Sequence, residues 1–509
     1  MRLFIFAIGG TGSRVLKSLV MLSAAGVRPL DANGKPVQNL ELVPIIIDPH
    51  KNNADLKRAE TLLNAYREIR AKLYGNALNA DGFFANKITS LGEIMANSAT
   101  PIGDSFIFDL ASVEHNKFRD FIGYDTMNAE NQALTSLLFA DYQLENKMSI
   151  GFVGSPNIGS VALNGIKDSN EFQAFANVFM NGDRIFFISS IFGGTGAAGF
   201  PILVKNIRQA QYTDLKNKGD LRRAPIGGLT MLPYFSIENS KDEGDKRIDN
   251  ADFVIKTQSA LEYYDNTLTG NNASAVNAIF YLGDQVHSKP YFYDPGDKMD
   301  QKDPAHLTEF IGALAPLKFA GMADRELSDT NDNPLPTKAF EYGLERDDTT
   351  VDFFALGRAT RALIFKKMTK LHLLFLYLRT GLSGNIGQGF TEDNPKITSE
   401  FLNTQFFKTL NEQFFNNYFD WLYEMYNNQR SVHLFELGQT DMSKAIFNVN
   451  VKRGFFGSKN VTNDTFKAEM NKISRDATGY SQNNVEFKLL DLFSKAADKI
   501  VAERYENIN

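Results

Sequence analysis

Three glycine-rich segments carry the residue types best suited to chemistry. Gly9-Gly10-Thr11-Gly12-Ser13-Arg14 follows a short apolar run, and Gly193-Gly194-Thr195-Gly196-Ala197 follows another. Glycines let a backbone turn sharply and bring N–H groups close to an anion, and a helix N-terminus adds favourable partial charge. One such turn is common; two in one chain, each between an apolar run and a helical pattern, point to a cradle for phosphate. Hydroxyls of Thr195 and Ser190 can supplement the backbone donors. The third segment, Gly154-Ser155-Pro156-Asn157-Ile158-Gly159, clusters the residues of an ordered loop. Taken alone it is a surface turn.

Other chemistries are less well served. The chain has no cysteine, which removes disulfides, thiolate metal sites and Cys nucleophiles together. Its six histidines show no paired ligand spacing, so no metal site of the zinc type is expected. An NAD(P)-dependent oxidoreductase or epimerase would use the first glycine turn and the Tyr212-x-x-x-Lys216 spacing. That reading leaves the second Gly-Gly-Thr-Gly segment without a purpose.

The elements that must position these segments follow from hydrophobic patterning. Near-continuous apolar runs at Leu3–Ile8, Leu42–Ile47, Phe106–Leu110, Met148–Val153, Arg184–Ser189, Gly228–Leu232 and Ala278–Leu282 are expected strands buried on both faces. Helical patterns lie between them at Ser13–Ala24, Ala54–Leu73, Glu171–Phe179 and Gly199–Gln211. Pro304–Ala320 is expected as one long apolar helix with Asp303 as its N-cap. The fold class is α/β, a Rossmann-like, mostly parallel sheet with helices on both faces, followed by an α+β C-terminal region. We place the nucleotide-binding domain at 1–321 with a long insertion at about 54–148, a polar linker at 322–350, and the C-terminal domain at 351–509. In that last part Ala355–Leu378, Thr404–Tyr426 and Val485–Tyr505 are expected helices, with a strand pair around Lys444–Lys452.

Composition agrees with a folded soluble chain: 43% hydrophobic, 22% charged, and 42 Phe and 18 Tyr against a single Trp over 509 residues. A net charge of −6 argues against a nucleic-acid partner. The apolar N-terminus runs straight into Gly9, which suits a first strand rather than a signal peptide. No run is long enough for a transmembrane segment, so a cytoplasmic location is expected.

The order of these features resembles the tubulin/FtsZ superfamily over about residues 1–320. That order is strand, Gly-Gly-Thr-Gly and helix; a strand ending in Asp48; a Gly/Pro loop; then strand, Gly-Gly-Thr-Gly and helix again. The family's GGGTGSG-like signature stands here as Phe192-Gly193-Gly194-Thr195-Gly196-Ala197-Ala198-Gly199, with Phe192 for the first Gly and Ala for the usual Ser. Pro156-Asn157-Ile158-Gly159 is similar to the end of the third loop, and Asp48 to the second-loop Asp near phosphate and metal. Leu232-Pro233-Tyr234-Phe235, followed by Glu238, is similar to the sugar-side loop. Among bacterial chains the resemblance is closer to the large, divergent tubulin-like group than to cell-division FtsZ.

The resemblance implies GTP, with GDP after turnover and Mg2+ alongside. The implied contacts are Gly9, Gly10, Thr11, Gly12, Ser13, Arg14, Asp48, Gly154, Ser155, Pro156, Asn157, Gly193, Gly194, Thr195, Gly196, Ala197 and Glu238. It further implies self-assembly into head-to-tail oligomers or filaments with nucleotide between subunits, partner proteins, and a weak or assembly-dependent GTPase. Three departures bear on this. Arg14 stands where FtsZ proteins carry an Asn that helps read guanine, and Arg offers donors only; base reading then falls to Asp303 or His306. Thr350-Val351-Asp352-Phe353-Phe354-Ala355 resembles the loop that completes hydrolysis in a neighbouring subunit, giving Asp352 the catalytic role, but Ala355 stands where the second acid belongs. Asp352 reads equally as a helix N-cap. That loss favours a second function, a nucleotide-binding switch or scaffold that hydrolyses little. The third departure is the long insertion, which remodels subunit contacts.

Overall fold

A computed structural model describes residues 1–50, 53–98, 100–110, 113, 117–152, 154–209, 217–236, 250–269, 275–285, 303–331, 333–342, 349–454, 457–476, 480 and 484–508. Glu238 and the Tyr212–Lys216 pair lie outside the described residues, as does Val153.

The apolar runs become a parallel seven-stranded sheet. Its strands are β1 (Arg2–Ile8), β2 (Glu41–Ile47), β3 (Lys87–Ile88), β4 (Arg184–Ser190), β5 (Ile226–Met231), β6 (Ala278–Leu282) and β7 (Lys338–Tyr342). They lie in the order β3-β2-β1-β4-β5-β6-β7, and every pairing is parallel. The α/β, Rossmann-like expectation therefore holds. All seven residues of β4 and all six of β5 are buried, which is why these strands read as unbroken hydrophobic runs rather than alternating ones.

Helices flank the sheet. The first two are α1 (Gly9–Ala24) and α2 (Ala54–Tyr74), and α3 (Ala129–Leu138) lies within the insertion. Next come α4 (Pro156–Asn164), α5 (Asn170–Val178), α6 (Gly194–Gln209) and α7 (Asn250–Tyr264). Then follow α8 (Leu307–Gly312) and α9 (Leu314–Ala320). The chain ends with α10 (Arg358–Thr380), α11 (Phe415–Tyr426), α12 (Asn463–Asp476) and α13 (Val485–Arg504). Right-handed crossovers put α1 and α6 on opposite faces, because the strand order runs one way from β1 and the other way from β4.

Several expectations need correction. Over the described residues 148–152 the expected strand does not form: Met148–Ile150 is a single 3-10 turn, and Gly151 follows with φ +80. Phe106–Leu110 gives only a bridge, Ile46 to Ile107. The helix expected over 304–320 is two helices, since Pro316 lacks the N–H that would bond Gly312 and the run breaks at Ala313. Its N-cap is His306, not Asp303: His306 Nδ1 accepts the Thr308 N–H at 3.1 Å, and Glu309 Oε2 accepts the His306 N–H at 3.0 Å.

Strand β7 arises inside the polar stretch 322–350. Its half-exposed, alternating Lys-Ala-Phe-Glu-Tyr carries no continuous apolar signal, as suits an edge strand. The strand pair expected around Lys444–Lys452 lies just beyond it, as a short antiparallel pair of Arg453–Gly454 with Gly457–Ser458. Within 444–452 Asn448 takes φ +56 and kinks the chain, leaving only the bridges Phe435 to Ile446 and Val451 to Tyr505. Among the described residues no helix is long and apolar enough to cross a membrane.

Candidate functional site

The strand order reverses between β1 and β4, and in open α/β sheets the crevice beyond the carboxyl ends at such a point is where ligands bind. Both strands lead directly into a Gly-Gly-Thr-Gly segment. The glycines are themselves the first helical turns, because α1 starts at Gly9 and α6 at Gly194 rather than at Ser13 and Gly199. First-turn N–H groups have no intrahelical acceptor, so each segment presents donors at a helix N-terminus. Gly9 sits at φ +74, a conformation open to glycine at no steric cost. Behind it α1 packs flush on the sheet: a Cβ on Gly12 would stand 2.7 Å from the Ala7 carbonyl carbon.

The third segment joins these two. A Cβ on Gly194 would lie 3.1 Å from both the Gly154 and Ser155 nitrogens, and one on Gly9 3.7 Å from Thr195 Cβ. Three turns from distant parts of the sequence thus share one crevice. Ser155 is the N-cap position and Pro156 the first residue of α4. Lys256 Nζ donates to the Gly154 carbonyl at 3.3 Å, a basic residue the sequence did not single out. Ser190 abuts Gly193 and Gly196, whose added Cβ atoms would fall 2.9 Å from its Oγ and 2.7 Å from its carbonyl oxygen. The Ser13 hydroxyl turns back to the Gly9 carbonyl at 3.4 Å, and the Ala197 carbonyl accepts the Tyr264 hydroxyl at 3.1 Å.

Arg14 does something the sequence did not reveal. Its guanidinium is buried over Gly10 and spends every N–H within the chain. Nε donates to Glu309 Oε1 at 2.5 Å, and Nη1 to Asp55 Oδ2 at 2.9 Å and Asp303 Oδ2 at 3.0 Å. Nη2 donates to Thr11 Oγ1 at 3.3 Å and to the Tyr234 hydroxyl at 3.0 Å, while that hydroxyl donates to Glu309 at 2.6 Å. Burial opposes the charge, but Tyr234, Glu309, Asp303 and Asp55 together hold the guanidinium more firmly protonated than usual. With five donors occupied, Arg14 has none left for a base.

Asp303 and His306 both lie at this cluster. Asp303 sits on Arg14, and the His306 ring stacks obliquely on Tyr234 at 4.9 Å. Phe192 packs edge-on against Tyr234 at 6.0 Å and Phe235 at 5.4 Å, fastening the two loops together. Asp48 ends β2 beside this group. Burial pushes its carboxyl up to about 7, helped by nearby Asp55 and opposed by the His50 N–H that Oδ1 accepts at 2.9 Å. The signal for Asp55 was weak, an acid in the first turn after the Asn53 cap; Tyr234 stood in the segment likened to the sugar-side loop, with nothing to tie it to Arg14, and Glu309 was not singled out.

Asp352 is placed elsewhere. Its Oδ1 accepts the N–H groups of Phe354 at 2.8 Å and Ala355 at 3.0 Å, and its Oδ2 accepts Asn448 Nδ2 at 2.8 Å. It caps a turn between Val351 and α10, and the structure gives it no partner from the glycine segments.

No protein-family model matches the chain, and no curated protein matches it. Among solved structures it is similar to a helical model of the two-stranded TubZ-Bt filament, at 12% identity. It is also similar to a GTPγS-form protofilament of TubZ from Bacillus thuringiensis serovar israelensis, at 13% identity. Each alignment covers 56% of this chain and 46% of the other, with a TM-score of 0.21. The chain thus spans less than half the length of the structures it matches.

Proposed function

We propose that the chain binds a nucleoside triphosphate in the β1/β4 crevice and self-assembles as a tubulin-like protein, with the nucleotide between subunits. The observation that carries this is the convergence of three glycine turns on the switch point of a parallel sheet, two of them helix N-termini. Close packing of the turns supports it too, since a Cβ at Gly194 would press on the backbone of the 154–155 turn and one at Gly196 on Ser190 at the end of β4. GTP is the nucleotide the sequence resemblance favours. Mg2+ belongs in this reading with the triphosphate: among the described residues no three acidic or imidazole groups converge as a cage, and phosphates commonly complete its coordination.

The second reading, a nucleotide-binding scaffold with little hydrolysis, is favoured by Asp352, whose Oδ1 caps its own turn while its Oδ2 accepts from Asn448. The dinucleotide reading is disfavoured because it employs one glycine turn of the three. Denaturing the purified protein and chromatographing what it releases tests the cradle. GTP or GDP in near-stoichiometric amount is expected, and NAD(P) or an empty protein that ignores added GTP would sink the reading. Electron microscopy and turnover at rising protein concentration then separate filament from scaffold.

A further inference from the structure

We propose that helix α3 of one chain docks into an apolar groove beside β7 of a second copy, making the insertion the protein's assembly arm. This rests on the self-assembly reading above and supplies its contact. Helix α3 buries none of its residues. Leu134, Leu137 and Leu138 are 56%, 85% and 62% exposed and share one helix face at i, i+3 and i+4; Tyr142, just after the helix, is 56% exposed. Single exposed leucines are ordinary; a contiguous ridge of them marks a contact surface. The helix is held to the chain by its polar side, through Ser136 to the Tyr124 hydroxyl at 2.9 Å and Gln132 to the Tyr124 carbonyl at 3.1 Å.

The receiving surface is a groove between the β6–β7 edge and α8–α9. Leu282, Ile311, Leu314 and Phe340 line it, and Phe340 stacks on Phe280 at 4.7 Å. Charge selects the occupant. Residues 120–146 contain Asp120, Asp125, Glu130, Asp141 and Glu145 and no Lys or Arg. Asp125 and Glu145 pair with Arg119, while the exposed Glu130 and Asp141 beside the ridge form no ion pair among the described residues. The groove carries exposed Lys318, and exposed Arg358 opens the helix that contributes Thr360 to its wall; Glu341 is its one acid among the described lining residues. Glu130 and Asp141 beside the ridge and Lys318 in the groove, with Arg358 just beyond its wall, are of opposite sign, so the two apolar surfaces of one chain suit each other. As different surfaces they make a head-to-tail contact, which propagates unless rotation closes it.

The arm is also joined to the cradle. Gln143 Nε2 lies 3.3 Å from Ser155 Oγ and 3.2 Å from Asn157 Oδ1, so the ridge is anchored on the third glycine segment.

Because the chain has no cysteine, the contact can be read by cross-linking. Leu137→Cys and Glu341→Cys, both at exposed positions and leaving Lys318 in place, are combined with a short bis-maleimide. The doubly substituted protein is expected to give a ladder of covalent oligomers, and a mixture of the two single variants a heterodimer only. Leu137→Glu in the otherwise unchanged protein is expected to weaken self-association at least about tenfold by sedimentation. A Leu137→Cys homodimer would mean that the ridge pairs with itself, and a monomer with no cross-link that it serves another protein or none; either overturns the proposal. Nucleotide content of the same samples is scored separately: a nucleotide-loaded protein without the ladder fails here alone, and a ladder from a nucleotide-free protein fails the function alone.

Discussion

Arg14 carries five N–H donors into a buried site, and the fold supplies an acceptor for each on Glu309, Asp55, Asp303, Thr11 and Tyr234. Removing one partner of a buried charged network leaves the others uncompensated, which costs about 3–5 kcal/mol. Arg14→Leu is therefore expected to lower the stability measured by urea denaturation by that order. Arg14→Lys keeps the charge but not the fork and recovers only part of it. A wild-type midpoint for Arg14→Leu would show that the cluster contributes little. Asp48 makes a prediction of opposite sense. Its folded pKa is pushed up to about 7, above the unfolded carboxylate value of about 3.9. The folded state thus holds the proton longer, so this group's stabilisation is full below about pH 4 and is lost as pH rises through 7. Asp48→Asn removes the titration. The stability of the wild type minus that of the variant should fall by up to roughly 4 kcal/mol between pH 4 and 7.5; a flat difference refutes the assignment.

The elements that bear the cradle are β1–α1 and β4–α6, and both were legible because they combine two strong local signals, an apolar run and a glycine turn. A steric prediction follows from their packing. Gly194→Ala places a methyl 3.1 Å from two backbone nitrogens, which must retreat and carry the 154–155 turn with them. Nucleotide affinity by calorimetry should fall about tenfold, equivalent to about 1.4 kcal/mol. Gly165→Ala has open space around it and should leave affinity unchanged; equal loss in both variants would point to general destabilisation. The rest of the site was illegible for a physical reason. Asp55, Tyr234 and Glu309 belong to a long-range network, 41, 220 and 295 residues from Arg14, and no periodicity reports such partners. The same holds for β7, an edge strand whose exposed alternation looks like loop, and for 148–152, where a 3-10 turn stands in place of a ladder.

At the scale of the whole molecule, the parts before and after residue 350 share one interior. Trp421 on α11 is fully buried, donates to Ser18 Oγ on α1 at 3.2 Å and packs edge-on against Phe310 of α8 at 5.4 Å. Glu424, one turn on, takes Lys17 of α1 at 3.1 Å, the Ala305 N–H at 3.1 Å, and Arg58 of α2. Arg430 holds Asp284 after β6 at 2.5 Å, and Phe414 meets Phe84 at 4.9 Å. These contacts wrap the C-terminal helices around α1, the helix whose first turn forms the cradle, so separating the two parts would expose α1's outer face and strand the charges at Glu424. Chains of this size commonly unfold in steps. Here the single tryptophan sits at the seam and reports on it directly. In urea, the red shift of Trp421 emission should therefore overlay the loss of far-UV circular dichroism, with one midpoint for both. Emission that shifts at lower urea, with most helical signal retained, would show instead that the C-terminal helices undock as a unit of their own and that the cradle stands without them.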